Sequence, residues 1–161
     1  MRIKIFDQGT AERVQDAFRD SYWISITDID YPKAKIEAHN KLCLSFDDVT
    51  PYNVENSFIH PFYKNAFLSR EPVFFSSKMA MDIVNFVHKI EDSRDILCIH
   101  CYAGKSRSVA VGAVINTITN TSPDNEKYFR EFMKEYCHDA GLNSYVYHVL
   151  MTAFLNAEVL F

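Results

Sequence analysis

The spacing of hydrophobic positions changes several times along the chain, and each change marks an element. Arg2–Phe6 and Trp23–Thr27 read as short strands, with Thr10–Phe18 a helix between them. Leu42, Leu44 and Phe46 alternate with Cys43 and Ser45, which predicts another strand ending at Asp47-Asp48. From Ser76 or Ser77, both good helix caps, Met79, Ile83, Phe86, Val87 and Ile90 recur at helical spacing. Asp95–His100 is a short apolar run fit for a buried strand, and Ser108–Ile115 reads as a buried helix continuing to about Thr119. Two more helices are expected, from Asp124 to about Cys137 and from Ser144 to about Ala157. Strands alternating with helices predict an α/β three-layer sandwich with a mainly parallel central sheet.

Thr50–Glu71 resists any period. It mixes aromatic and polar residues with two internal prolines and is too long for an ordinary connection. A substrate-covering loop and a packed insertion with no chemical role both remain open for it. Elsewhere no repeat, low-complexity tract or linker appears, so residues 1–161 are expected to form one domain. With 48% hydrophobic and 14% aromatic residues there is ample material for its core.

Seventeen lysines and arginines against 21 aspartates and glutamates give a net charge of −4. No basic run stands out, so neither a nucleic-acid nor a membrane partner is expected. The first residues enter a strand pattern without a signal-peptide-like apolar stretch, and no run of roughly 18 apolar residues occurs. The four cysteines, Cys43, Cys98, Cys101 and Cys137, lie mostly among apolar neighbours, which suits reduced thiols. A cytoplasmic protein is the expectation.

The chemistry concentrates in His100-Cys-Tyr-Ala-Gly-Lys-Ser-Arg-Ser108, between the last predicted strand and the buried helix. Its Gly104-Lys105-Ser106 resembles the end of a nucleotide-binding loop, but that loop needs a glycine where this chain has Ile99. Cys98 and Cys101 form a C-x-x-C, yet Cys98 falls inside a strand and no second ligand pair has zinc spacing. The spacing of Cys101 and Arg107, C-x5-R, instead suits a cysteine-dependent phosphatase. The free N–H groups and dipole at a helix start favour negative charge, both a thiolate and a phosphate. Tyr102, Ala103, Gly104, Lys105 and Ser106 would then line the phosphate, and Arg107 would grip two of its oxygens through a planar fork. Ser108 can donate a hydrogen bond to the Cys101 sulfur as it leaves. Lys105 could add positive potential or simply be exposed, the latter being favoured.

The longer string H-C-x-x-G-x-x-R-S resembles the active-site loop of the dual-specificity branch of the protein tyrosine phosphatases. "ISITDID" (Ile24–Asp30), "LCLSFDDV" (Leu42–Val49), the helix before the cysteine strand and "GLNSYVYHVLMTAF" near the end are similar in order to compact members from bacteria and their viruses. The resemblance implies a protein tyrosine phosphatase-like fold and hydrolysis of phosphomonoesters through a phosphocysteine. It calls for no metal or other cofactor, and for a phosphorylated protein or peptide as substrate. It also implies that His100 organises the loop and that Asn143 braces the active-site loops, a turn or capping role being equally open for Asn143. A general acid must protonate the leaving oxygen. Comparison with the family's strand puts that acid on Asp48, with Asp47 facing the other way, and Asp28 and Asp30 as alternatives. Two other readings stay open: a phosphate-binding module without turnover, and the same chemistry on a lipid, nucleotide or RNA 5′-phosphate.

Overall fold

The computed structural model describes residues 1–56, 64, 67, 69–90, 95–119, 125–138 and 141–158. Four strands, β1 (Arg2–Asp7), β2 (Tyr22–Thr27), β3 (Asn40–Ser45) and β4 (Ile96–Cys101), form one sheet in the order β1-β4-β2-β3, every pairing parallel. The helices are α1 (Gln8–Val14), α2 (Pro51–Glu55), α3 (Ser77–Val87), α4 (Arg107–Thr119), α5 (Asn125–Tyr136) and α6 (Ser144–Glu158). A 3-10 turn, Gln15–Phe18, continues α1. Among the described residues, no helix is long and apolar enough to cross a membrane.

The central strands are apolar on both faces, as parallel strands covered on both sides must be. Alternation sorts their side chains into two layers. Ile5, Ile24, Ile26, Leu97 and Ile99 face the larger layer, where they pack with Ala80, Ile83 and Val84 of α3, Val109 to Ile115 of α4, Phe132 of α5 and Leu150 and Phe154 of α6. Phe6, Trp23 and Cys98 face a thinner layer built from Ala11, Val14, Phe18 and the segment carrying Ala34, Ile36 and Ala38. The fully buried Trp23 donates its indole N–H to the Phe18 carbonyl at 2.9 Å. Gln15 holds the 34–38 segment down by donating to Lys35 O (2.6 Å) and accepting from Glu37 N (2.7 Å). The expected three-layer sandwich is present, with unequal outer layers.

Two packing details place α4, whose first turn carries the loop motif. Gly112 lets α4 approach closely, because a Cβ there would lie 2.8 Å from both Ile5 Cδ1 and Phe132 Cζ. From Arg107 to Ile115 the helix is buried on all sides, which explains an apolar run without amphipathic spacing. Ser76, not Ser77, caps α3, accepting from Met79 N.

The bounds of one helix and one strand differ from the sequence expectations for reasons seen in their contacts. The Thr10–Phe18 helix starts at Gln8, because Asp7 accepts from Thr10 N (2.8 Å) and caps it there, and it tightens into 3-10 geometry from Gln15. The strand expected to run to Asp47-Asp48 stops at Ser45: Phe46 N still reaches Thr27 O (3.2 Å), but Asp47 N turns to Val73 O (2.9 Å). Cys43 is exposed, standing on the open edge of the sheet. Within Thr50–Glu71, Thr50 caps a one-turn helix with Pro51 in its first turn, where a missing N–H costs nothing. Residues 57–63, 65, 66 and 68 of that segment, and with them the covering-loop expectation, lie outside the described residues.

Candidate active site

Parallel α/β sheets place sites at the carboxyl ends of their strands, and the motif falls there. β4 ends at Cys101, residues 102–106 turn, and α4 begins at Arg107. The loop is wedged against the end of β1. Gly104 has φ +66°, and a Cβ on it would lie 2.6 Å from Asp7 N and 2.8 Å from the Phe6 carbonyl. No other residue fits without moving the strand end. Gln8 N donates to Tyr102 O at 3.1 Å, tying the start of α1 to the same loop. Tyr102, Ala103 and Lys105 are exposed, and Gly104 and Ser106 half-buried.

Cys101 is buried at 1% exposure, its sulfur 3.1 Å from the Ser108 hydroxyl. Arg107 is equally enclosed: Nη1 donates to Phe46 O at 2.7 Å and pairs with Asp28 Oδ1 at 2.9 Å, with the Phe46 ring beneath the guanidinium. Asp48 Oδ1 accepts from Ser106 Oγ (2.8 Å) and Asn143 Nδ2 (2.9 Å), and its Oδ2 lies 3.9 Å from Arg107 Nε. The Asn143 Oδ1 also accepts from Val146 N (3.0 Å) in the first turn of α6, and its N–H donates to Ser106 O (3.4 Å). Asn143 therefore both caps a helix and reaches the loop.

His100 is buried beneath the loop, its Nε2 2.7 Å from Ser25 Oγ. Burial pushes its pKa down from the ordinary 6.5 to about 4, so the ring is neutral at physiological pH. An unfolded chain binds a proton at this histidine near pH 6.5, whereas the folded chain does so only near 4. Stability from this group is complete above pH 6.5 and drains away as the pH falls toward 4, by up to roughly 3 kcal/mol. Urea midpoints measured between pH 7 and 4.5 should fall less steeply in His100→Gln than in the parent chain; identical slopes would remove His100 as a source of acid sensitivity.

Cys98 is separate from this chemistry. It points into the thin layer while Cys101 points to the opposite face, as residues three apart on a strand must. Burial pushes its thiol up to about 12, which keeps it protonated and unreactive. Among the described residues, no cluster of histidine, cysteine and carboxylate side chains has the makings of a metal site.

No family model and no curated protein matches the chain. Solved structures do. The chain superposes on Tk-PTP in its active form with a TM-score of 0.54 and 14% identity, covering 93% of this chain and 90% of that one. Against the PTP-2 phosphatase of Cydia pomonella the TM-score is 0.57 at 15% identity, with 94% and 85% covered. Against PTPMT1 in complex with PI(5)P it is 0.57 at 12% identity, with 98% and 93% covered. The chain has a protein tyrosine phosphatase-like fold.

Within this phosphatase-like fold the four aspartates considered from sequence separate cleanly. Asp48 lies beside the loop. Asp28 is buried against Arg107. Asp47 is buried elsewhere, receiving Arg70 Nη1 (2.7 Å) and Nη2 (2.8 Å) and Val73 N (2.8 Å). Asp30 is half-exposed and accepts from the other edge of Arg70. Sequence reading missed Arg70 and Ser25 altogether. A lone arginine in an aperiodic segment carries no signal, and Ser25 meets His100 only because β2 and β4 are neighbours.

Proposed function

We propose that this protein is a cysteine-dependent phosphomonoester hydrolase, a protein tyrosine or dual-specificity phosphatase acting through a phosphocysteine. The observation that carries the reading is the Cys101 sulfur, buried at the end of β4 and facing the Ser108 hydroxyl at 3.1 Å, with Arg107 and Asp48 beside the same loop.

In the first half-reaction the Cys101 thiolate attacks phosphorus. The bond to the leaving oxygen breaks and Asp48, protonated, gives that oxygen its proton. Arg107, aimed by the hold of Asp28 and Phe46 O on its Nη1, grips two phosphate oxygens through its planar fork. The N–H groups of residues 102–106 and the start of α4 take the other oxygens. In the second half-reaction water attacks phosphorus, Asp48 as carboxylate accepts its proton, and the sulfur departs as thiolate, assisted by the Ser108 hydroxyl. Ser106 and Asn143 hold Asp48 Oδ1, which orients Oδ2 toward the reacting atoms. His100, neutral and buried, supports the loop from below and exchanges no proton with substrate.

The substrate is a phosphorylated protein or peptide in a reducing compartment such as the cytoplasm. The PTPMT1 neighbour, which holds PI(5)P, favours one second reading, the same chemistry on a phosphorylated lipid headgroup. Hydrolysis of a small aryl phosphate, blocked by vanadate and resistant to EDTA, is the expected behaviour. Phosphate binding without turnover would instead identify a capture module, and turnover abolished by EDTA would reject the cysteine mechanism. Comparing a phosphotyrosine peptide with a phosphoinositide in the same assay then separates the two substrate classes.

A further inference from the structure

Asp47, Asp30 and Arg70 have no place in the bond-making steps, yet they form a three-residue ionic cluster of their own. Asp47 is fully buried and engages Arg70 through both oxygens (2.7 and 2.8 Å) while accepting from Val73 N (2.8 Å). The adjoining edge of the same guanidinium, Nε and the shared Nη2, holds Asp30 Oδ2 at 2.9 and 2.6 Å. Arg70 Nη1 also donates to Glu71 O (3.1 Å), and the guanidinium stacks over Phe67 at 5.3 Å. The two carboxylates keep the arginine charged.

The positions of these partners matter more than their number. Asp47 is the immediate neighbour of Asp48, and both lie beyond the end of β3, outside the hydrogen-bonded ladder. Asp30 sits two residues from Asp28, the partner of Arg107, on the turn after β2. Arg70 stands 23 residues beyond Asp47, so the guanidinium staples together two parts of the chain that are distant in sequence. It also binds that staple to the turn that steadies Arg107.

We propose that Arg70 is a positioning residue: its fork on Asp47 and Asp30 fixes the place of Asp48 over the phosphate loop and its alignment with Arg107. This rests on the reading of Asp48 as the proton donor. A surface ion pair alone would contribute little, but a bidentate arginine on a fully buried carboxylate fixes geometry, and small misplacements of a reacting group are costly to rate. An ammonium cannot reproduce two forks at once.

The test uses the full chain and two substrates: an activated aryl phosphate, whose leaving group departs unaided, and an alkyl phosphate, which needs the proton. Arg70→Gln should lower kcat/KM on the alkyl ester by about 10- to 100-fold and on the activated ester by a far smaller factor, with inhibition by inorganic phosphate retained. Arg70→Lys should fall between. The pH profile of Arg70→Gln should stay bell-shaped, since the acid is still present. The double variant Asp47→Asn/Arg70→Gln leaves neither charge buried alone, so it should unfold at a higher temperature than Arg70→Gln while keeping the alkyl-selective loss. Equal losses on both esters, loss of phosphate inhibition, or recovery of alkyl activity along with stability in the double variant would each reduce Arg70 to a purely structural role. If Asp48→Asn itself shows no preference between the esters, the proton-donor reading fails and takes this inference with it. A selective Asp48→Asn beside an unselective Arg70→Gln overturns the inference alone.

Discussion

Cys101→Ser is expected to abolish hydrolysis while leaving affinity for inorganic phosphate nearly intact. The loss should reach several orders of magnitude, because a serine hydroxyl does not ionise near neutral pH and the nucleophile is the anion. The cradle survives, since Gly104 is fixed by its contact with β1 and Arg107 by Asp28 and Phe46 O, none of which involves the sulfur. Ser108 would then face a hydroxyl in place of the sulfur now 3.1 Å away, a pairing that two hydroxyls satisfy easily. Turnover on an aryl phosphate and phosphate binding by calorimetry give the two readouts. Residual turnover above a few per cent would remove Cys101 from the nucleophile's role, and loss of phosphate affinity would place the anion site elsewhere.

The second large effect concerns the proton. Asp48→Asn should cost about 10²- to 10⁴-fold on an alkyl phosphate, the range a positioned acid contributes, and much less on an ester with a good leaving group. The basic limb of its bell-shaped kcat/KM profile should flatten, because that limb reports the acid's ionisation. Asn keeps the shape of the side chain, and its oxygen can still accept from Ser106 and Asn143, so the loop should hold. Asp47→Asn weakens the grip of Arg70 on a buried partner and lowers stability, yet it should keep the basic limb. A limb that flattens in Asp47→Asn and persists in Asp48→Asn would exchange the two assignments. No change in either would direct attention to Asp28 and Asp30.

The geometry of the loop from Cys101 to Arg107 was legible in the sequence because its requirements are local. A cysteine at a strand end, a glycine at a left-handed turn and an arginine at a helix start are all set within nine residues, and the strand and helix around them have clear apolar runs. The three-layer α/β arrangement followed for the same reason. The choice between Asp48 and Asp47 rested on comparison with the family's strand together with strand alternation, but the strand ends at Ser45. The two side chains still diverge, for a different cause: Asp47 is drawn inward by Arg70 and Val73 N. That cause is a contact across 23 residues from a segment with no period, and no spacing rule encodes it. The Asp28–Arg107 pair was hidden in a similar way. It depends on β2 lying beside β4, a sheet order that alternation of strands and helices does not specify. The thin layer over Trp23 was equally silent, because residues 34–38 form no helix or strand and are held by Gln15 through its side-chain amide.

The central claim is a covalent bond between phosphorus and the Cys101 sulfur. Rapid acid quenching during turnover of an activated aryl phosphate, followed by peptide mapping by mass spectrometry, tests it directly. The account predicts a phosphate adduct on the peptide containing Cys101, more abundant in Ser108→Ala, where departure of the sulfur is unassisted, and absent in Cys101→Ser. A chain that turns over the ester at the same rate with no adduct on that peptide in either the parent or Ser108→Ala, or with the adduct on another residue, would contradict it.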